Sequence, residues 1–316
     1  MKKHLLIFAS LMLTISAFIV SCSEEDPIEF PTPESNTLKD FFKDTRVQSQ
    51  FFTFDAAAGT YFFGAKGTGI YFPGGSLLHQ NGTAVTGTVQ LELKEIYSKG
   101  DMILSNAAPE SNGTLLKSGG EVYVALTQNN QKLRISHTNP GFIMFPCSTA
   151  VAGMQLFNGE FRKNSELAAD SAMNWNLANG DSAQVVQDTM GTGTYYQFTF
   201  DSIGWSNCDR FYYLTGGTDP MIHLPNGYDN MNTQVYMVFD AESVMASADV
   251  FADQIYRFHA GEHTPIGLHV TIVAIANTND KYYYSITHEV TSAGATFELN
   301  LTEATKQEVQ TAISAL

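Results

Sequence analysis

The chain has 316 residues, of which 44% are hydrophobic, so it can bury the core of one large domain or two ordinary ones. Its 17 basic and 32 acidic residues give a formal net charge of −15. An acidic surface of this kind repels phosphate backbones, which argues against nucleic acid as a partner, and the apolar content argues against disorder.

Residues 1–21 have the pattern of a signal peptide. Lys2 and Lys3 form a short basic region, and residues 5–20 are apolar but too few to span a membrane stably. The run at 19–22 ends in Cys22 and resembles the lipobox of a bacterial lipoprotein. The alternative, an ordinary secretory signal, requires a small-x-small cleavage site, which residues 18–21 fit poorly. The resemblance implies cleavage before Cys22 and lipidation of its thiol, and two or more acyl chains anchor a protein stably.

The residues after Cys22 are Ser23 and the acidic triplet Glu24, Glu25 and Asp26. They resemble the surface-export signal of Bacteroidota lipoproteins, which implies an outer-membrane protein that faces the cell exterior. A solvated acidic tether is the alternative interpretation. Loss of the two leader lysines leaves 15 basic and 32 acidic residues, so the mature chain carries 15 − 32 = −17.

The segment 22–49 comprises the lipidated cysteine and a tether. Residues 23–36 are rich in proline and acidic residues, a composition typical of an extended spacer. Asn36 and Thr37 are expected to cap a short helix that contains Phe41 and Phe42.

From Gln50 onward the chain predicts an all-β fold with two sandwich-like domains, 50–147 and 148–316. Residues 89–96 alternate apolar and polar with a period of two, which is typical of a half-buried strand. A second strand at 121–126 is joined through the polar turn 128–131 to a third, which predicts a hairpin. Strands at this spacing, with few helical patterns between them, indicate a sandwich.

Two sets of motifs resemble known families. The run at 67–77 and the following run at 81–87 resemble the β-sandwich domain shared by ankyrins and netrin receptors, over about residues 58–147. The runs at 85–95 and 204–211 are similar to those of surface lipoproteins of Bacteroidota, over nearly the whole mature chain. Neither resemblance implies an activity or a catalytic residue.

The second half is also rich in predicted strands. Residues 268–275 and 281–286 are strand runs joined by a polar turn, which predicts another hairpin. The polar segment 163–194 predicts a long irregular insert. A helix capped by Thr302 is expected to close the chain, with Val309 and Ile313 on its buried face.

The densest group of polar and aromatic side chains is Trp205, Asn207, Asp209 and Arg210. As a ligand site, the indole would stack on a sugar while the polar groups hydrogen-bond it. As a structural corner, Trp205 would fill a core and the Asp209 and Arg210 charges would pair. The structural interpretation is favoured because buried polar groups are commonly satisfied by pairing.

Cys147 and Cys208 are the cysteines that remain once Cys22 carries lipid. An oxidising compartment permits a disulfide between them, which would stabilise the fold by about 2–4 kcal/mol. Two separate buried thiols are the alternative, since free cysteine is among the most buried residue types.

No sequence pattern predicts a catalytic residue, a metal site or a cofactor. The chain contains no P-loop, nucleophile elbow or dinucleotide fingerprint. His259, Glu262 and His263 match an inverted zincin motif in spacing, but Gly261 and Pro265 favour a loop there.

These observations favour a lipid-anchored binding or structural protein of the outer membrane that is not an enzyme. Besides the membrane that holds the anchor, a glycan or another envelope protein is the expected partner. The alternative is an extracellular hydrolase, either carbohydrate-active or metal-dependent. A binding module requires aromatic side chains on an exposed face, whereas an enzyme requires a pocket with converging titratable groups.

Overall fold

Strands account for 54% of the residues that the structure describes and helices for 9%, so the predicted all-β class is confirmed. The computed structural model describes residues 37–163, 169, 171–187, 193–213, 217–252, 254–257 and 264–316. Cys22, the export signal at 23–26 and the motif at 259–263 lie outside the described residues. Asn36–Leu316 form one compact unit.

The central element is a nine-stranded sheet, here called sheet 1. Its strands are β1 (Gln50–Asp55), β4 (Leu77–His79), β5 (Thr88–Ile96), β6 (Glu110–Ser111), β7 (Thr114–Gln128), β8 (Gln131–Ile135), β10 (Gln155–Lys163), β11 (Ser171–Ser182) and β14 (Gly204–Phe211). The main path runs β1-β5-β7-β14-β10-β11 with antiparallel neighbours.

Sheet 2 covers one face of sheet 1. Its five strands are β2 (Thr60–Phe63), β3 (Gly69–Phe72), β9 (Gly141–Cys147), β12 (Gln184–Gln187) and β13 (Thr194–Phe200), in the order β12-β13-β9-β3-β2. Alternate residues of both sheets, such as Leu91 and Val124 from sheet 1 and Ile70 and Phe198 from sheet 2, fill the core between them.

Two further sheets form the rest of the fold. Sheet 3 consists of β15 (Met221–His223), β18 (Asp249–Ala252), β19 (Ile255–Arg257) and β22 (Thr296–Glu298), and sheet 4 of β16 (Thr233–Phe239), β17 (Met245–Ser247), β20 (His269–Thr278), β21 (Lys281–Val290) and β23 (Thr302–Ala304). A separate core lies between these two sheets. The second half is therefore also sandwich-like.

Three short helices fill the space between sheet 1 and sheet 4. They are α1 (Leu38–Thr45), α2 (Lys99–Leu104) and α3 (Lys306–Ser314). Phe41 from α1, Ile103 from α2 and Ile313 from α3 are fully buried in this middle core. Sheet 1 consequently has a hydrophobic core on each of its faces.

Two predicted hairpins are confirmed. The β7–β8 turn places Asn129 and Asn130 at φ values of 50° and 63°, and the β20–β21 turn places Asn279 and Asp280 at 52° and 59°. Asparagine and aspartate tolerate this left-handed backbone better than most residues, which is why two-residue hairpin turns select them.

The terminal helices differ in how well the sequence predicted them. Thr37 caps α1 with a full capping box, as expected. The cap of α3 is Thr305, whose partner is Glu308, and the prediction of Thr302 is wrong. Thr302 belongs instead to β23, which pairs with β21 in sheet 4.

Sheet pairing crosses the domain boundary predicted at residue 147. Strands β10, β11 and β14 join sheet 1, and β12 and β13 join sheet 2, so residues up to 211 complete the first sandwich. The segment 163–194, predicted as an irregular insert, contains β11 and β12, and Trp175 of β11 is fully buried. Its polar composition gave no strand signal, although β11 pairs with the preceding strand β10 and β12 with the following strand β13.

Glu95 holds the β2–β3 hairpin against sheet 1. Its solvent-inaccessible carboxylate accepts hydrogen bonds from the backbone N–H groups of Lys66 and Thr68, both at 2.9 Å, and from the Gln50 amide at 2.6 Å. Burial by itself would raise the pKa of Glu95, but these hydrogen bonds outweigh it and lower the pKa below its ordinary value. The carboxylate therefore stabilises the fold in its charged form.

We expect Glu95→Gln to destabilise the protein by about 1–3 kcal/mol at pH 7, because a donor would replace an acceptor in this network. Since the folded pKa is lowered, the stabilisation by Glu95 is present above its ordinary pKa of 4.5 and is lost as the pH falls through the folded value. Urea denaturation between pH 3 and 7 would measure both effects. The control is Glu92→Gln on the same strand, where Ser49 donates to the carboxylate, and an equal loss in both variants would contradict this role.

Candidate functional site

The outer face of sheet 2 carries rows of aromatic side chains. The first row crosses four strands, because register pairs Tyr61 with Tyr71, Tyr71 with Phe142 and Phe142 with Thr199. A second row follows two residues further along, from Phe63 through Gly69 and Met144 to Gln197 and Gln184. We call this surface the aromatic face.

The rings of the first row lie nearly parallel. The centroids of Tyr61 and Tyr71 are 4.3 Å apart at an interplanar angle of 27°, and those of Tyr71 and Phe142 are 6.3 Å apart at 14°. Offset parallel packing of this kind is a favourable aromatic arrangement, so neighbouring rings restrain one another.

These side chains are exposed although they belong to well-formed strands. The exposed fractions are 60% for Tyr61, 54% for Phe63 and 36% for Phe142, while the intervening Phe62 is buried in the core. Contiguous apolar surface on a soluble protein commonly marks an interaction site, whereas single exposed residues need no explanation.

Two glycines make room for the aromatic face. A Cβ atom added to Gly59 would lie 2.9 Å from the Tyr71 hydroxyl, so that ring rests against bare backbone. At Gly69 an added Cβ would overlap the Met144 methyl group and lie 3.2 Å from Phe63 Cε1. The Phe63 and Met144 side chains therefore lie over Gly69, and the apolar surface extends without a gap from β2 to β9.

Glu95 connects this surface to the interior. The loop that it holds joins β2 to β3, and these two strands carry Tyr61, Phe63 and Tyr71. The position of half of the aromatic face thus depends on a buried carboxylate of sheet 1.

Trp205 lies on the other face of sheet 1, away from the aromatic face. Its ring centroid is 5.3 Å from that of Tyr123 and 6.2 Å from that of Phe161, and it packs partly against the middle core. A Cβ on Gly159 would lie 2.5 Å from Trp175 and 2.8 Å from Trp205, so the two tryptophans meet over that glycine. These contacts are those of a packing residue, in agreement with the structural interpretation.

Asn207 and Asp209 are fully buried beside Trp205 on the same strand. Asn207 donates from Nδ2 to Asp209 Oδ2 at 2.6 Å, and the Ser118 hydroxyl donates to Asn207 Oδ1 at 3.2 Å. The expected pairing of Asp209 with Arg210 is wrong. The two residues are adjacent on β14, so their side chains point to opposite faces of sheet 1. The group is part of a strand and not a corner.

Glu121 lies directly across from Asn207 in the register of β7 and β14. It is fully buried, and neither carboxyl oxygen has a hydrogen-bond partner among the described residues. Burial raises the pKa of Glu121 well above its ordinary value, and the Asp209 carboxyl raises it further. Burial also raises the pKa of Asp209, against the opposing hydrogen bonds of Ser118, Gly119 and Asn207.

Cys147 and Cys208 are both free thiols. They lie on opposite sheets of the first sandwich and both adjoin its core, Cys208 fully buried and Cys147 partly so. Burial raises the pKa of each thiol, which disfavours the thiolate that a nucleophile or metal ligand requires.

Three cavities of the described fold differ in the titratable groups that line them. One of about 650 Å³ has His79 and Lys132 among its lining residues. A second of about 310 Å³ contains Cys147, Tyr196 and Lys117, but the pKa values of the thiol and the phenol are raised by burial and Lys117 forms an ion pair with Glu242. Another of about 250 Å³ has Asp201 as the only titratable group among its described lining residues. In the described part of the chain, no group of three or more His, Cys, Asp or Glu residues could hold a metal ion.

Comparison with known proteins identifies no family for this chain. No family model matches it, and no curated protein matches it either. The resemblances to the ankyrin-type sandwich and to Bacteroidota lipoproteins therefore stay predictions. None of the helices in the described residues is both long and apolar enough to cross a membrane.

Sequence reasoning did not identify the aromatic face. The run Tyr61-Phe62-Phe63 is aromatic at every position, so alternation could not show which rings point outward. One sequence signal could have indicated the aromatic face. Short strands such as β2 carry aromatic residues at both odd and even positions, although only the inner face of an outer sheet needs to be apolar.

We expect Glu121→Gln to stabilise the protein at pH 7, because the glutamine stays neutral without binding a proton. Since the folded pKa of Glu121 is raised, its stabilisation is fully present below its ordinary pKa of 4.5 and is lost as the pH rises towards the folded value. The gain should grow as the pH rises from 4.5 towards 7 and should be absent near pH 4.

Urea denaturation of Glu121→Gln at pH 4 and pH 7 would check this expectation. Glu95→Gln is the matched control, since the same substitution at another buried glutamate should have the opposite sign. A variant that loses stability at pH 7 would show that Glu121 is charged and paired in the folded protein.

Proposed function

We propose that this protein is a lipid-anchored binding protein of the outer membrane, displayed on the cell exterior, and that its ligand rests on the aromatic face. The observation that carries the proposal is the row of nearly parallel rings on β2, β3 and β9, in which Tyr61 and Phe142 are exposed and Tyr71 is half-buried. Folding requires only the inner face of sheet 2 to be apolar, so these exposed rings call for a different reason.

The hydrolase alternative has less support. It requires titratable groups that converge in a pocket. Two of the cavities described above offer thiol and phenol groups with raised pKa values or a single carboxylate, and the third has His79 and Lys132 but no carboxylate among its described lining residues. The exposed aromatic face, in contrast, is the feature expected of a binding module.

Replacement of the lipidated cysteine tests the proposed location. Cys22→Ala should remove the acceptor of the lipid, so the protein should be found as an uncleaved precursor or released from the membrane fraction. Protease added to intact cells should degrade the wild-type protein if it faces the exterior. Membrane-bound Cys22→Ala protein of mature mass, or resistance of the wild type until the outer membrane is broken, would contradict the proposal.

Hydroxyl-radical footprinting tests the proposed binding surface without knowledge of the ligand. Tyr61 and Phe51 have the same exposed fraction of 60%, but Phe51 lies on sheet 1. Both should be oxidised in the purified protein, whereas on intact cells in growth medium Tyr61 and Phe63 should be protected and Phe51 should not. Equal oxidation of Tyr61 and Phe51 on cells would show that the aromatic face is unoccupied.

A further inference from the structure

The outward-facing residues of sheet 2 carry no charge. They are Tyr61, Phe63, Gly69, Tyr71, Phe142, Met144, Pro146, Gln184, Val186, Tyr195, Gln197 and Thr199. Interfaces between proteins usually have a charged rim that sets orientation and accelerates association, and this face provides none of its own. The chemistry of the face therefore selects an uncharged ligand.

The remainder of the protein reinforces this selection. The chain has a net charge of −15, so its field repels acidic polymers such as uronic-acid polysaccharides, nucleic acids and anionic lipid surfaces. A neutral polymer approaches the uncharged face without this penalty.

The same face offers hydrogen-bonding groups at the edges of its apolar rings. Tyr61, Tyr71 and Tyr195 bring phenol hydroxyls, and Gln197 and Thr199 lie in the same rows as Met144 and Phe142. A ligand that matches this pattern has apolar surfaces bordered by hydroxyl groups. The pyranose rings of a sugar have that chemistry, because their C–H faces are apolar and their edges carry hydroxyls.

The shape of the face favours an extended ligand over a small one. The first row crosses four neighbouring strands and so spans three inter-strand spacings, about 14 Å in all. A flat sheet of this width encloses little of a single small molecule, whereas it contacts several consecutive units of a chain.

We infer that the aromatic face binds a neutral polysaccharide, whose successive sugar rings contact Tyr61, Tyr71 and Phe142. This inference rests on the proposed function and names the ligand class of the same surface. Phe63 and Met144 extend the apolar contact along the strands, and the glutamine and threonine side chains of β13 bind the sugar hydroxyls.

Affinity electrophoresis of the mature lipidated protein in detergent tests the inference. The gels would contain a neutral glucan, mannan, galactomannan or xylan, with alginate and polygalacturonate as acidic counterparts. At least one neutral polymer should retard the wild type, and neither acidic polymer should. Retardation by the acidic polymers alone, or by no neutral polymer, would overturn the assignment.

Substitutions place the binding on the named rings. Tyr61→Ala and Phe142→Ala should each weaken binding roughly three- to tenfold, the range expected for loss of one aromatic contact. Tyr61→Phe should retain most of the affinity if the ring makes the contact. Phe51→Ala, equally exposed on the other sheet, should bind like the wild type, and an equal loss there would exclude the aromatic face. Unchanged melting temperatures would show that the variants are folded.

Periodate treatment distinguishes two ways in which the inference could be wrong. Either the aromatic face binds a ligand that is not a glycan, or it binds no ligand. Periodate cleaves the vicinal diols of glycans and so should abolish the footprinting protection of Tyr61 that cell-surface material provides. Protection that survives periodate but is lost after proteolysis of that material would mean a protein ligand, so the glycan inference fails while the binding role stands. A dimer of the purified protein that Tyr61→Ala dissociates would point to a second copy as the occupant. Absence of protection in every condition would remove the binding role itself.

Discussion

Burial of sheet 1 on both faces is the constraint on which the rest of the structure depends. One face packs on sheet 2, and the other packs on three short helices and sheet 4. Where both cores cover a strand, residues of both parities must be apolar or satisfied within the protein. Ile96 and Leu93 of β5, which point to opposite faces, are both fully buried for this reason. The edge strand β1 is not covered in this way, and its Phe51 is exposed.

The polar residues trapped in sheet 1 show how differently a buried carboxyl can be accommodated. Glu95 has three donors and remains charged, which fixes the hairpin that carries half of the aromatic face. Glu121 has no partner among the described residues and is held as the neutral acid. A buried glutamate thus stabilises the fold at position 95 and destabilises it at position 121. The difference is the number of hydrogen-bond donors around each carboxyl group.

Sheet 2 is placed differently, because its core lies on one face only. The outer face makes no contribution to that core, and an ordinary outer sheet would carry polar residues there. Tyr61, Phe63 and Phe142 depart from that expectation, and Gly59 and Gly69 allow their neighbours to pack closely. On sheet 2 these side chains lie together on one surface, which is why a ligand is proposed there.

The features that the sequence predicted correctly are those set by residues close together in the chain. The Asn-Asn and Asn-Asp turns and the Thr37 cap depend on residues within four positions, and each was recognised correctly. The pairing of β13 with β9, the burial of Trp175 in a polar stretch, and the closing of the first sandwich by residues beyond 147 depend on distant partners. The aromatic rings of β2 were visible in the sequence, but the face to which each one points was not.

The sequence by itself determined the all-β class, the hairpins and the acidic character of the surface, because these arise from alternation, turn chemistry and composition. The pattern of residues 1–22 also comes from the sequence, and the anchored location is proposed from it. Only the tertiary structure decided that Trp205, Asn207 and Asp209 lie in a packed strand and that Tyr61, half-buried Tyr71 and Phe142 form one row on the outer face of sheet 2. The physical reason is that a strand's residues alternate between two faces whatever their type, and which face meets solvent depends on the sheets packed against it.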